Sequence, residues 1–217
     1  MKKIVGVTLL STLLLSSLGF SSQAFAATTP SVKNSKATIE YTPGDDLDID
    51  EKPDTDDKGN IIPGTGLPDN LYFGSHKIQL KDAENWQAHD KTTKAITTGT
   101  LKVNDARTTG AGWSIKVAQT SQFKNGTSTL NNAKLSIKTG AIENTGGVAP
   151  SFGAASTVTL DLDKGGEQYI FGARAGEGNG KSSLKLEQFD LAVPAIPKTE
   201  GTYVSDLTWT LTDTPMS

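Results

Sequence analysis

Gly201-Thr-Tyr-Val-Ser-Asp-Leu-Thr-Trp-Thr-Leu-Thr-Asp-Thr-Pro215 is the stretch whose pattern decides the fold. Tyr203, Leu207, Trp209 and Leu211 all stand on odd positions. Successive side chains of a strand point to opposite faces, so these four share one face. Val204, Asp206, Thr208, Thr210 and Thr212 share the other. Thr, Tyr and Trp favour strands, and Pro215 ends the ladder. A second stretch, Gly112-Trp-Ser-Ile-Lys-Val117, repeats the arrangement with Trp113, Ile115 and Val117 on one face. A face so apolar is not left in water, which makes both tryptophan strands candidates for one core.

Working outward, the same alternation recurs in short pieces. Leu71-Tyr-Phe73, Lys77-Ile-Gln-Leu80, Thr97–Val103 and Lys134-Leu-Ser-Ile137 read as strands. Thr157–Leu162 and Gln168-Tyr-Ile-Phe171 flank Asp163-Lys-Gly-Gly166, the sequence of a hairpin. Ser183–Leu186 and Phe189–Val193 alternate in opposite phase, which predicts a bulge or two separate strands. Asn125-Gly126 marks a tight turn. No stretch after residue 26 keeps apolar residues at helical spacing over three turns. The expectation is an all-β fold, an antiparallel β-sandwich or barrel-like sheet, preceded by a disordered acidic arm.

Lys2 and Lys3 precede an apolar run from Ile4 to Phe20, followed by Ala24-Phe-Ala26. A basic start, a short apolar core and a small-x-small site predict a secretory signal peptide over residues 1–26. Residues 27–68 are polar, then acidic. Asp45, Asp46, Asp48, Asp50, Glu51, Asp54, Asp56 and Asp57 face only Lys52 and Lys58, and Pro43, Pro53, Pro63 and Pro68 interrupt them. Such a segment has too little apolar surface to offset its ordering entropy, so an extended arm is expected, with one short strand over Ala37–Tyr41. The β domain proper is expected over 69–217. There is no cysteine, which removes disulfides, thiolate metal sites and lipid-modified cysteine together. The last residues, Asp213–Ser217, carry neither an apolar tail nor a basic stop, so retention at a surface is expected to be non-covalent. Neither nucleic acid nor a membrane span in the mature chain is expected.

The two Trp-x-aliphatic strands, the Leu-Thr-Trp-Thr-Leu-Thr-Asp run with its nearby Pro, and the Pro-Gly-Asp-Asp stretch at 43–46 resemble the WxL family of Gram-positive surface proteins. The upstream copy carries Ile115 where that family usually has Leu. The resemblance implies a secreted protein of the cell wall that binds peptidoglycan non-covalently, acts in complexes with other surface proteins, and in some members serves adhesion. The alternative is a secreted carbohydrate-active enzyme working on glycans.

Chemistry-bearing residues are few. Ala175-Gly-Glu-Gly-Asn-Gly-Lys-Ser182 fits a relaxed phosphate-loop pattern. That chemistry needs backbone N–H groups at a helix N-terminus, and the residues after Ser182 read as strand, so the match is a coincidence. Asp46, Asp48 and Asp50 alternate like calcium ligands, but the sixth position is Glu51 where a calcium loop needs glycine. Asp161, Asp163 and Glu167 offer a carboxylate pair for glycan hydrolysis, yet bracket a turn in which Asp is expected anyway. His76 and His89, the only histidines, pair with no nucleophile at a recognisable spacing. No catalytic residue, cofactor or metal is expected. Residues 71–138 hold ten basic and four acidic groups, whereas 139–217 hold five and ten. This reads either as solvated strand faces or as a basic face for an anionic wall polymer. Of the tryptophans, Trp113 and Trp209 are expected in the core with Ile115 and Leu211. Trp86, among Glu84, Asn85, Gln87 and His89, is the expected ligand contact.

Overall fold

Short alternating segments broken by Gly, Asn and Pro have one way to bury their apolar sides, which is to pair edge to edge. The structure, a computed structural model, describes residues 31–42, 67–68, 70–107, 109–162 and 165–217. The expected signal peptide, the acidic stretch with its calcium-like aspartates, and Asp163 lie outside the described residues. Among the described residues twelve strands follow in order: β1 (Ser31–Thr42), β2 (Asn70–Lys77), β3 (Glu84–Gln87), β4 (Gly99–Asp105), β5 (Trp113–Gln119), β6 (Lys124–Asn125), β7 (Ser128–Thr129), β8 (Lys134–Thr145), β9 (Thr157–Leu160), β10 (Glu167–Ala173), β11 (Gly180–Val193) and β12 (Gly201–Thr212). There is no α-helix among the described residues. The fold is all-β, in two curled sheets.

The first sheet runs β10-β5-β12-β1-β2, with the small β6–β7 hairpin joined to β12. The second runs β3-β11-β8-β9, with β4 also paired to β11. β8 occupies one edge of β11 from Lys181 to Ala192. The other edge is therefore shared in tandem, by β4 over Gly180–Leu186 and by β3 over Asp190–Val193. The phase change in the sequence between Ser183 and Val193 is resolved without a break. β11 stays one strand and absorbs the slip in register shifts between Leu184 and Gln188. One core joins the inward residues of both sheets, among them Trp113, Val117, Tyr203, Leu207 and Trp209 from the first and Leu135, Ile137, Leu184, Phe189 and Leu191 from the second.

Two expectations of pairing change. Asp163–Gly166 does not close a hairpin: β9 pairs with β8 in the second sheet and β10 with β5 in the first. The two flanking segments therefore stand in different sheets. The short strand expected at Ala37–Tyr41 extends over Ser31–Thr42 and lies inside the first sheet. It pairs antiparallel with β12 from Ser31↔Leu211 to Tyr41↔Gly201, and parallel with β2. That parallel pair departs from an otherwise antiparallel fold and needs the long connection that residues 43–69 supply.

Ala37 and Ile39 are fully buried, so β1 is held by side chains and by ladders on both edges. Cleavage anywhere in residues 43–66 should leave the 31–42 strand associated with the rest of the chain. The nicked protein should elute as one species in native buffer and as two fragments in strong denaturant. Release of the short fragment in native buffer would show that the strand is not an integral part of the domain.

Candidate functional site

The strands that carry the two tryptophan motifs are direct neighbours. β5 and β12 pair antiparallel, with Trp209 opposite Val117 and Leu211 opposite Ile115. Trp113 is 2% exposed and Trp209 3%, Ile115 is buried, and Leu211 is partly buried against the same core. Phe171 packs edge-on to Trp113, with ring centroids 4.8 Å apart. Buried indoles need acceptors, and each has one. Trp113 Nε1 donates to the Gly178 carbonyl at 3.2 Å. Trp209 Nε1 donates to Ser35 Oγ at 3.2 Å, and Ser35 Oγ–H in turn donates to the Pro68 carbonyl at 3.0 Å. The second motif therefore ties β12 to β1 and to the lead-in of β2.

The glycine-rich loop that resembles a phosphate loop is the cover of Trp113. A Cβ on Gly178 would stand 2.6 Å from Trp113 Nε1, and φ at this residue is +77°. Only glycine fits both the backbone and the ring. Glu177, one residue earlier, accepts hydrogen bonds from the Ser151 and Arg174 backbone N–H groups and from Ser151 Oγ–H. Burial pushes its carboxyl upward, but these donors outweigh that and hold it below its ordinary value. Gly180 opens strand β11, so no helix N-terminus faces the loop. Gly178→Ala should cost about 1–3 kcal/mol from overpacking, with the positive φ adding to it. Thermal melting beside indole fluorescence checks this, and an unchanged melting temperature would deny the close contact.

Trp86 lies on β3 and is half-buried, packed against the core rather than free in solvent. One face of its ring is covered by His76, stacked at 3.4 Å between centroids and 10° between planes. His76 is held in place by Nε2, which donates to the Phe73 carbonyl at 2.6 Å. His89 approaches from the next loop, edge-on to Tyr72 at 5.2 Å, with Lys91 Nζ 5.1 Å above the tyrosine ring. A Cβ on Gly74 would meet both imidazoles, His76 Cε1 at 2.9 Å and His89 Cε1 at 3.3 Å. So the only two histidines converge over one glycine with two aromatic rings beside them. Linear spacing gave no sign of this. A glycine at the centre of the Tyr72-Phe-Gly-Ser-His76 strand was the available signal, since a strand interior spends glycine on close approach.

The carboxylates suggested for hydrolysis are engaged elsewhere. Asp161 pairs with Lys134 at 2.9 Å, and Glu167 with Lys116 at 2.9 Å. Asp105, buried beside Arg107, is held below its ordinary value by the guanidinium hydrogen bonds at 2.8 and 3.0 Å, against the upward push of burial. Among the described residues, no group of three or more His, Asp or Glu is placed to hold a metal ion. The basic and acidic halves of the sequence also interleave. Lys116–Glu167, Lys134–Asp161 and Lys138–Glu187 each join a lysine of the first half to an acid of the second. The pairing of strands thus matches these three lysines with acids of the second half.

One family model matches the chain, over residues 24–215: the WxL domain, described as a surface cell wall-binding domain. No curated protein matches it.

Proposed function

Because this chain belongs to the WxL family, whose domain lies at the surface and binds the cell wall, we propose that the protein is exported, attaches non-covalently to peptidoglycan, and acts as a binding and adhesion component of a complex with other surface proteins. The observation that carries this reading is the burial of both motif tryptophans, each with its indole N–H satisfied inside the domain. The motifs build the fold, and the ligand is met by outward side chains. The chain's lack of cysteine supports a non-covalent attachment. Binding is favoured over glycan hydrolysis because Asp161 and Glu167 each stand in an ion pair with a lysine of a neighbouring strand.

Trp86 enters as a contact through its uncovered surface, with His76 setting its ring plane. The test is a pull-down of the exported protein on purified sacculi, followed by washing in chaotrope. Wild type is expected to bind and to leave at its full mature mass. Trp86→Ala is expected to bind more weakly when compared well below its melting temperature, which also falls because the half-buried ring packs against the core. Protein that stays on the wall through boiling in detergent would contradict the non-covalent attachment, and a wild type that never binds would contradict the function.

A further inference from the structure

Among the described strands β1 comes first in the chain, yet it stands inside the first sheet, between β12 and β2. It is joined to the later strands only through residues 43–69. Its contacts are of a kind that can be released and remade. Among its described side chains only Ser35, Ala37 and Ile39 are buried, whereas β12 beside it buries Tyr203, Leu207 and Trp209. What holds β1 is therefore mostly main-chain hydrogen bonding, from Ser31↔Leu211 to Tyr41↔Gly201 on one edge and from Lys36↔Asn70 to Thr42↔Lys77 on the other. Withdrawing β1 uncovers little apolar surface and opens two facing strand edges. Their unpaired N–H and C=O groups then call for another strand.

Side chains decide which strand fits. Ser35 Oγ accepts from Trp209 Nε1 at 3.2 Å and donates to the Pro68 carbonyl at 3.0 Å, so this position needs a small hydroxyl. Asn34 Oδ1 accepts from the Thr208 hydroxyl at 3.1 Å, and Lys36 Nζ stands 3.2 Å from Asp206. A second copy of the chain supplies all three. Reach allows it as well. Thr42 stands opposite Lys77 and Lys36 opposite Asn70, so the connection has only to return along β2. That path is roughly 23 Å. Residues 43–69 fully extended span roughly 90 Å, about twice the breadth of a domain of this size.

We propose that β1 is an exchangeable strand: two copies of the chain trade it, each β1 filling the slot between β12 and β2 of the other, in a closed dimer. The ladders, the Ser35 bridge and the Lys36 pair are the same in both forms, so the dimer needs no new contact. Concentration then sets the balance. A tethered strand meets its own slot at an effective concentration of the order of 1 mM, and exchange competes where copies are gathered to a similar density. This inference goes beyond wall attachment and stands without it.

The chain has no cysteine, so an introduced pair reports which molecule each strand belongs to. Lys36 and Asp206 are register partners with exposed side chains, and residues paired across strands stand within disulfide distance. Chains carrying Lys36→Cys and Asp206→Cys, half of them isotope-labelled, are refolded together in reductant at about 0.02 and about 2 mM, concentrations on either side of the tethered value. They are then oxidised and separated under denaturing, non-reducing conditions. Lys36→Cys alone sets the background of chance links. Chains joined to each other, mixed-mass pairs included, should rise at least about tenfold from the lower to the higher concentration, while the dilute product is a monomer closed on itself. Closure within each chain at both concentrations would overturn the proposal. So would a dimer in light scattering whose cysteines close within each chain, because its interface would then lie elsewhere. Asn34→Cys with Thr208→Cys, two positions along the same ladder, gives the same reading should the first pair not oxidise.

Discussion

Trp209→Ala is expected to lower the melting temperature by on the order of 10 °C. Truncating a buried Trp costs about 3–5 kcal/mol, and a domain of this size loses about 2–4 °C for each. The side chain is 3% exposed within the joint core of both sheets. Its loss also removes the donor to Ser35 Oγ, the atom that links β1 to Pro68. The damage should therefore concentrate at β1, the strand held between β12 and β2. Thermal melting gives the magnitude, and amide exchange gives the place, with Ser35, Ala37 and Ile39 losing protection first. A melting temperature within about 2 °C of wild type would mean that the indole is not part of the core.

Lys198→Ala should be comparably damaging, for a different reason. The Lys198 side chain is 0% exposed and that of Glu84 4%, with Nζ 2.9 Å from Glu84 Oε2. Nζ also donates to the Gln79 carbonyl at 2.7 Å. One ammonium thus joins the β11–β12 connection to β3 and to the start of the β2–β3 connection. Removing it leaves a carboxylate in the interior without its counter-charge, which costs about 3–5 kcal/mol. Replacing both partners by apolar groups of similar volume is often close to neutral. Lys198→Met with Glu84→Leu should therefore melt above Lys198→Ala alone. A double variant that falls by the sum of the two single losses would argue that the pair carries no shared energy.

What was legible in the sequence follows from the range of each interaction. Period-two alternation is local, so the last strand, the Trp113 strand and the β class could be read from the Trp209 and Trp113 neighbourhoods alone. Pairing is not local. That β5 and β12 touch follows from their like faces only as an expectation, and the register Leu211↔Ile115 is visible only in the sheet. The Asp163–Gly166 turn misled because turn chemistry fixes a reversal of the chain, not whether its two arms stay together. Trp86, expected as a ligand contact from its polar neighbours in sequence, is half-buried with His76 stacked on its ring, ten positions away and on another strand. The same distance hid the convergence of His76 and His89 over Gly74, and the pairing of Lys198 with Glu84. Strand pairing was equally out of reach of the charge runs: it sets the basic stretch against the acidic one at Lys116, Lys134 and Lys138.

The central claim is that the tryptophan motifs hold the domain together while other side chains meet the wall. Trp209→Phe separates the two roles, since a phenyl ring keeps most of the buried volume and loses only the donor to Ser35 Oγ. The deciding measurement is the affinity of folded Trp209→Phe for purified sacculi, taken well below its melting temperature. The account predicts an affinity within about twofold of wild type despite a lowered melting temperature. A well-folded Trp209→Phe that no longer binds would make the motif itself the ligand site and contradict the account.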